Sequence, residues 1–547
     1  MKKNTFIILF TLLISITLNA DWKFGNIIFK NIPMQNHYLS ISNGGILPDN
    51  KALTDGIGMK ILSGPVNPEP NFKTMNKFLL FSEYGDIIRY ERPDLFLQGS
   101  EDIRFDIAVD CFSAEIGDEI LINNKSYLVV DNNTIKNNLD RADTLCTSHV
   151  TDMNHLFSNK TSFNLDISHW DTSNVTDMSF MFYHAESFNQ PIGNWDTSKV
   201  KSMYGLFAYD YVFNQPIGNW DISNVTITKG MFFKDYAFNQ PVNNFNTSNV
   251  TNMEYMFYGN KVFNQPLDRF DTSKVKTFNY MFCHASVFNQ PIGNWDMSQA
   301  TNIAGMFYHA NSFNQNINNW NISNVTDMNH LFSYDYAFNQ PLDKWDTTKA
   351  VDMSSLFCFA TSFNQNINDW DTSNVVNMKH LFYSDYVFNQ PLDKWNTGNV
   401  RSMNAMFYSN YEFNQPLNNW NTTNVSNFAY MFYRNYKFNQ PLSNWNTDNA
   451  TTFRYMFYRD YEFNQPLNNW NTDNVIDMFA VFCHAYKFNQ PLDSWNVQNV
   501  TNMGYIFYYV KDFNQDLSNW NVDNVTNNVS FDGGDDKWID EYKPNFP

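Results

Sequence analysis

The tetrapeptide Phe-Asn-Gln-Pro begins at Phe188, Phe213, Phe238, Phe263, Phe288 and Phe338, and again at Phe388, Phe413, Phe438, Phe463 and Phe488. Close relatives stand at Phe163, Phe313, Phe363 and Phe513, so the chain steps by 25 residues through fifteen coils without insertion or deletion. Such a period marks an array of like units, each too small to bury its apolar face alone. At 547 residues the chain is also too long for one ordinary core. The repeat excludes a conventional globular domain over most of the sequence.

One coil shows the grammar: Phe188-Asn-Gln-Pro-Ile-Gly-Asn-Trp195-Asp-Thr-Ser-Lys-Val200-Lys-Ser-Met203-Tyr-Gly-Leu206-Phe207. Phe188, Ile192 and Trp195 are apolar with polar residues between, which reads as a short strand and its exit turn. Val200, Met203 and Phe207 follow at i, i+3 and i+7, one face of a short helix or 3-10 turn. Asp196-Thr-Ser ahead of them offers capping side chains. The expected fold is an α/β solenoid of about fifteen such coils. Equivalent residues then form columns about 4.8 Å apart, giving an array on the order of 70 Å long. Trp170, Trp195 and Trp220 begin one column, which resumes from Trp295 to Trp520 with Phe245 and Phe270 in the gap. A second column is Asn throughout: Asn189, Asn214, Asn239, Asn264, Asn289, Asn314, Asn339, Asn364, Asn389, Asn414, Asn439, Asn464, Asn489 and Asn514. An amide repeated in every coil suits a structural ladder that satisfies backbone groups where the chain turns.

The pattern Phe-Asn-Gln-Pro-Ile-x-x-Trp-Asp-Thr-Ser-x-Val-x-x-Met resembles the 25-residue repeat of BspA-family leucine-rich-repeat surface proteins, over about residues 146–528. The segment from Glu115 to Asp131 is similar to the lead-in of that family. The resemblance implies a leucine-rich-repeat-like stack at or outside the cell surface, adhesion to proteins or other cells, and no enzymatic chemistry. The chain departs from the pattern in lacking a lipid-attachment Cys and a C-terminal wall-anchoring motif.

Residues 1–20 read as a secretory signal peptide: Lys2 and Lys3, an apolar run from Phe6 to Leu18, then Asn19-Ala20. No later apolar run approaches the roughly 20 residues of a membrane span. The mature chain is expected to be bacterial, secreted or surface-displayed. Residues 21–145 read as a small β-rich domain capping the solenoid, 146–528 as the repeats, and 529–547 as a C-terminal cap and tail. Phe531-Asp-Gly-Gly-Asp-Asp fits an acidic cap better than a Ca²⁺ loop. Asp and Glu number 55 against 36 Lys and Arg, a net charge of −19, which disfavours nucleic acid as a partner.

Five Cys are present. Cys283, Cys358 and Cys483 share one register several coils apart, too far for a disulfide. They fit a core slot otherwise held mainly by Tyr. Cys111 and Cys146 flank the lead-in, and in an exported chain a disulfide between them is expected. His184, His284, His309 and His484 share a column, but nothing repeats beside them to complete a metal site. They read as solvated turn positions. No Ser-His-Asp set, phosphate-binding glycine loop or His-Glu-x-x-His occurs, and uninterrupted coils leave no inserted loops to assemble a catalytic site. No enzyme activity and no cofactor are expected.

The column that varies is more informative. At the turn before Phe, some coils carry Ala and others Asp or Asn followed by Tyr, and five consecutive coils bear Tyr386, Tyr411, Tyr436, Tyr461 and Tyr486. Stacked at a turn, they can simply cover one side of the solenoid; if their hydroxyls and ring faces are open, they form a stripe suited to protein or glycan contacts. The expected function is an adhesin-like scaffold that binds extracellular or host proteins and glycans through many similar contacts. One alternative is a structural surface-layer or ice-type solenoid using Thr columns such as Thr172 and Thr176. The other is an enzyme housed in residues 21–145.

Overall fold

The computed structural model describes residues 108–122, 124–533 and 537–547, with the backbone of six short strands nearer the N-terminus. The leader assigned to 1–20 lies outside the described residues. The six strands are β1 (Trp22–Phe24), β2 (Ile27–Asn31), β3 (Tyr38–Ser42), β4 (Gly56–Ile61), β5 (Phe78–Phe81) and β6 (Ile87–Tyr90). They pair antiparallel in sequence order, with register set by pairs such as Phe29 with Ile41 and Met59 with Leu80.

A second sheet introduces the array. β7 (Glu119–Ile122) and β8 (Lys125–Val129) form a hairpin, and β9 (Leu145–Cys146) joins β8 in parallel. Cys111 and Cys146 are joined by a disulfide, their Cα atoms 6.2 Å apart, in a small core with Val109, Tyr127 and Val129. Val130, Ile135, Ala142 and Leu145 continue directly into the core of the repeats. The Trp170 indole donates to the Ala142 carbonyl at 2.9 Å, so the lead-in covers the first coil.

From there the chain is a regular stack with one continuous interior. Val200, Met203, Leu206, Phe207, Phe213, Ile217 and Trp220 are all buried, and so are their counterparts coil after coil. Phe188 and Phe213 stack with ring centroids 6.1 Å apart, Trp195 and Trp220 at 6.3 Å. Each indole also donates to a carbonyl one coil back, as Trp195 does to Ile167 at 3.2 Å. Phe245 and Phe270 are buried in the same column without that bond, and Phe270 stacks on Trp295 at 6.3 Å.

The local structure differs from the strand-and-helix expectation in two ways. The described residues of the array contain no α-helix. Between Met203 and Asp210 the amides alternate. Leu206, Ala208 and Asp210 close turns onto Met203, Gly205 and Phe207, at 3.0–3.3 Å. Gly205, Phe207 and Tyr209 reach the next coil at Lys229, Met231 and Phe233, at 2.7–2.9 Å. Gly205 and Tyr209 accordingly sit in the left-handed region, at φ +60° and +61°. A helix this short would leave four amides unsatisfied at its start and is a poor nucleus in isolation. Alternating-handed turns keep the same apolar spacing and turn half the amides toward the neighbouring coil. The strand is also elsewhere: single parallel bridges run in a column from Asp152 through Asp177 and Ser202 to Asn527.

Phe188–Trp195 is irregular, and so is the same segment in the coils that carry Asn316, Asn366 or Asp516 in place of Pro191. Side chains ladder there instead. The Asn164 Oδ1 accepts from the Asn189 amide at 3.0 Å and from Gln190 Nε2 at 2.9 Å. The same pair of bonds recurs to Asn514 and Gln515. The Thr172 column is also internal: Thr172 is buried and its hydroxyl donates to the Asp196 carbonyl at 3.0 Å. It offers no Thr face to solvent, contrary to what the ice-type alternative requires of that column.

At the far end the stack is closed by aromatic residues rather than by a merely polar tail. Trp538 is buried edge-on against Phe507 and Phe513, and its indole donates to the Gln515 carbonyl at 2.8 Å. Lys543 lies 2.8 Å from both Asp532 and Asp540, which ties the acidic tail down.

Candidate functional site

The large apolar interior columns repeat, so the surface columns are where one part of the stack presents a different face from another. Each coil has two left-handed positions, such as Phe180 and His184 or Tyr430 and Arg434, with a further position between them at Tyr183 or Tyr433. The side chains of these three columns meet their counterparts along the stack and form a band of aromatic surface.

In coils near the C-terminus that band is filled. Tyr383, Tyr408, Tyr433 and Tyr458 stack face to face with centroids 4.2, 4.3 and 4.6 Å apart. Burial pushes the Tyr408 and Tyr433 hydroxyls up to about 12, so both stay protonated. Tyr386, Tyr411, Tyr436, Tyr461 and Tyr486 form the second stack, at 4.7–4.9 Å. Lys511 caps it, with Nζ 5.0 Å from the Tyr486 centroid. The Arg434 and Arg459 guanidiniums lie 5.5 and 5.4 Å from Tyr433 and Tyr458, adding cationic donors to the band. The ring faces of these five tyrosines are covered by one another, and the side chains are half-buried. What they offer is a row of edges and hydroxyls.

Nearer the N-terminus the band is open. Glycine replaces an aromatic residue at Gly205, Gly230 and Gly305, where φ is +58° to +60°. A cavity of about 530 Å³ runs beside Phe180, Tyr204, Gly205, Gly230 and Phe233. It shares Tyr255 and Tyr258 with a second, of about 450 Å³, that continues past Tyr280 to His330. Lys229 stands in the first, paired with Glu254 at 2.6 Å and 5.7–5.8 Å from the centroids of Tyr204 and Tyr255. Neither this groove nor the first tyrosine stack was among the expected site residues. The isolated glycines in an otherwise bulky column were the available sign.

The remaining candidates are accounted for locally. His284 and His309 stack at 4.6 Å, and burial lowers His309 to about 4, so it is neutral at ordinary pH. His184 stacks on Tyr209 at 4.2 Å. These are half-buried members of the band rather than solvated turn residues. Cys283, Cys358 and Cys483 are free and buried, their thiols raised to about 11–12 by burial. Among the described residues no group of three His, Cys, Asp or Glu is placed to hold a metal ion. No described helix is long and apolar enough to cross a membrane.

No curated protein and no solved structure matches the chain. A family model described as "Mycoplasma protein of unknown function, DUF285" matches residues 124–234, 212–316, 288–384, 315–407, 365–459 and 437–535. These matches overlap without a break across the lead-in and the repeats, and the chain belongs to the DUF285 family.

Proposed function

We propose that the protein is a non-enzymatic, adhesin-like binding scaffold, displayed on or released from the cell, that engages extracellular or host proteins and glycans. The observation that carries this reading is the surface band. A rigid stack presents tyrosine edges, hydroxyls and Arg434 and Arg459 at a constant repeat, and Tyr and Arg are the residues most enriched at binding hot spots. The resemblance to BspA-family leucine-rich-repeat proteins supports the same assignment, as does the leader read at residues 1–20. Multivalent contact follows from the geometry: a partner with repeated epitopes meets like sites at successive coils, and effective concentration multiplies weak contacts.

The test is binding of the chain to an array of extracellular-matrix proteins and glycans, beside a variant with Tyr386, Tyr411, Tyr436, Tyr461 and Tyr486 changed to Ser. Binding falls in the variant while circular dichroism is unchanged. Binding that is equal in both removes this band from the interface and moves the search to the glycine-floored groove.

A further inference from the structure

The two kinds of coil close the turn before Phe differently. In the Ala coils the main chain does it: Phe188, Phe288, Phe313, Phe363 and Phe488 donate to the carbonyls of Ala185, Ala285, Ala310, Ala360 and Ala485, at 2.8–3.1 Å. In the others a side chain takes over. The Asp235 Oδ1 accepts from the Ala237 and Phe238 amides at 3.1 and 3.2 Å, and Asp210 and Asp335 accept from Val212 and Ala337 at 3.3 Å. Asp210, Asp235, Asp335, Asp385 and Asp460 are all fully buried. Asp210, Asp235 and Asp335 each have one oxygen with no hydrogen-bond partner among the described residues, and Asp385 and Asp460 have two.

What surrounds that oxygen is shown by Asn260 and Asn435 in the same column, whereas Asn410 has no partner at either amide atom. Asn260 accepts through Oδ1 from the Phe263 amide at 3.1 Å and donates through Nδ2 to the Phe238 carbonyl at 2.9 Å. The Asn435 amide, turned to donate, reaches the carbonyls of Phe413 at 3.0 Å and Asn410 at 2.8 Å. The slot therefore presents one donor side and one acceptor side. An ionised carboxylate fits the first and opposes the second. A carboxylic acid fits both, its hydroxyl replacing the amide N–H.

We infer that Asp210, Asp235, Asp335, Asp385 and Asp460 are neutral carboxylic acids in the folded stack, each donating its O–H to the Phe carbonyl 22 residues earlier. The column is thus a lock between neighbouring coils that is closed in acidic to neutral surroundings and released by alkali. The electrostatics agree. Burial pushes Asp210 up to about 8 and the other four well above the ordinary carboxylate range. Nearby carboxylates add to this: Glu186 toward Asp210, Glu462 toward Asp460, and Asp210 toward Asp235 once alkali ionises it. Asp335 lies between Ala310 and Ala360 in the column, and Asp385 between Ala360 and Asn410, so their elevation comes from burial.

The sign follows. A carboxyl whose folded pKa is raised holds a proton that the unfolded chain releases near pH 4, so its stabilisation is complete below that and falls as pH rises toward the folded pKa. Between pH 6.5 and 8 each neutral acid makes unfolding about tenfold more favourable per pH unit within its cooperative unit. Burial lowers His284, His309, His330, His380 and His484 below their ordinary value and raises the thiols of Cys283, Cys358 and Cys483 to about 11–12.

The experiment follows thermal unfolding of the full chain from pH 6.5 to 8, beside a variant with all five residues changed to Asn. The midpoint falls with pH in the unmodified protein and is nearly flat in the variant. Infrared spectra of the unmodified chain at pH 6.5 show the carbonyl stretch of protonated carboxyl groups, which needs no variant to fold, and Asp235→Asn alone reduces that band. An absent acid band overturns the inference, as do equal slopes in the two proteins. A midpoint raised by added K⁺ or Ca²⁺ in the unmodified chain alone also overturns it, because the slots then hold cations beside ionised carboxylates.

Discussion

Coils around Phe180–His330 and coils around Tyr383–Tyr486 share one backbone and differ on one face. Phe282 and Phe432 are both fully buried and stack on Phe288 and Phe438 at 4.0 and 4.1 Å. At the surface, the first left-handed position is glycine in Gly205, Gly230 and Gly305 and tyrosine in Tyr430 and Tyr455. Tyr183 and Ala208 are succeeded in one stretch by an open groove, whereas Tyr383 and Tyr408 are succeeded by a closed stack. The comparison shows where such a chain can vary. Columns that hold neighbouring coils together are fixed by packing, while a left-handed position points into the band and accepts anything from Gly to Arg. Recognition can be rewritten there without disturbing the frame.

The sharpest way to break that comparison is to truncate the frame in each stretch. Phe282→Ala and Phe432→Ala should each remove about 3–5 kcal/mol from the stability of the coils around them, the usual loss for a buried aromatic. Equal losses, read by hydrogen exchange of the flanking coils, are expected. If Phe282→Ala proves much milder, the groove coils are more loosely packed and the two stretches are not one frame. Since an array unfolds through nearest-neighbour units, the damage should fade within a few coils.

A smaller effect sharpens the surface side. Gly205→Ala should cost about 1–2 kcal/mol, because a non-glycine residue is placed in the left-handed region. Its Cβ would also lie 2.7 Å from the Phe180 ring, which must swing into the groove. Ala405 and Ala480 show that the backbone tolerates Ala at this column. The groove should therefore close while the stack survives, and a binding partner that uses the groove loses affinity. Thermal unfolding and binding measured together separate the two consequences. Binding that persists in a folded variant excludes the groove near Phe180.

The sequence carries the frame plainly and the local geometry poorly, for a physical reason. The interior columns are legible because a residue such as Trp195 or Phe207 recurs at a strict period, and only stacking gives that period a use. The Val200, Met203, Phe207 spacing misleads because alternating-handed turns reproduce the i, i+3, i+7 pattern of a helix. The distinguishing sign, residues at positive φ, is not visible in side chains as varied as Gly205, Tyr255, His330 and Arg434. No main-chain ladder runs along Phe188–Trp195, yet the Asn164–Asn189–Gln190 amide ladder that replaces it could be read from the column of Asn. The tyrosine stripe is legible in the sequence and its aspect is not, since coils about 4.8 Å apart place like rings face to face and hide the surfaces a lone tyrosine would show.

The smallest expected effect separates by acid the groove coils from those between Tyr408 and Tyr458, which carry no histidine, although burial also lowers His380 and His484 at the borders of that stretch. The groove coils hold His284, His309 and His330, all with imidazole pKa values lowered by burial, His309 to about 4 with His284 adding repulsion. A histidine whose folded pKa is depressed stabilises the fold above its ordinary value near 6.5 and loses that contribution as pH falls toward the folded value. Asp327 and Asp352 partly offset this at His330. Amide protection in the coils from Tyr280 to Tyr334 should therefore decline between pH 6.5 and 4, after correction for intrinsic exchange, more than in the coils from Tyr408 to Tyr458. His309→Tyr supplies the residue found in the same column at Tyr209 and Tyr334, keeps the ring stack, and should remove much of the decline. If protection falls equally in both stretches, or if His309→Tyr changes nothing, the acid response belongs to the frame. The band would then differ between the two stretches in shape alone.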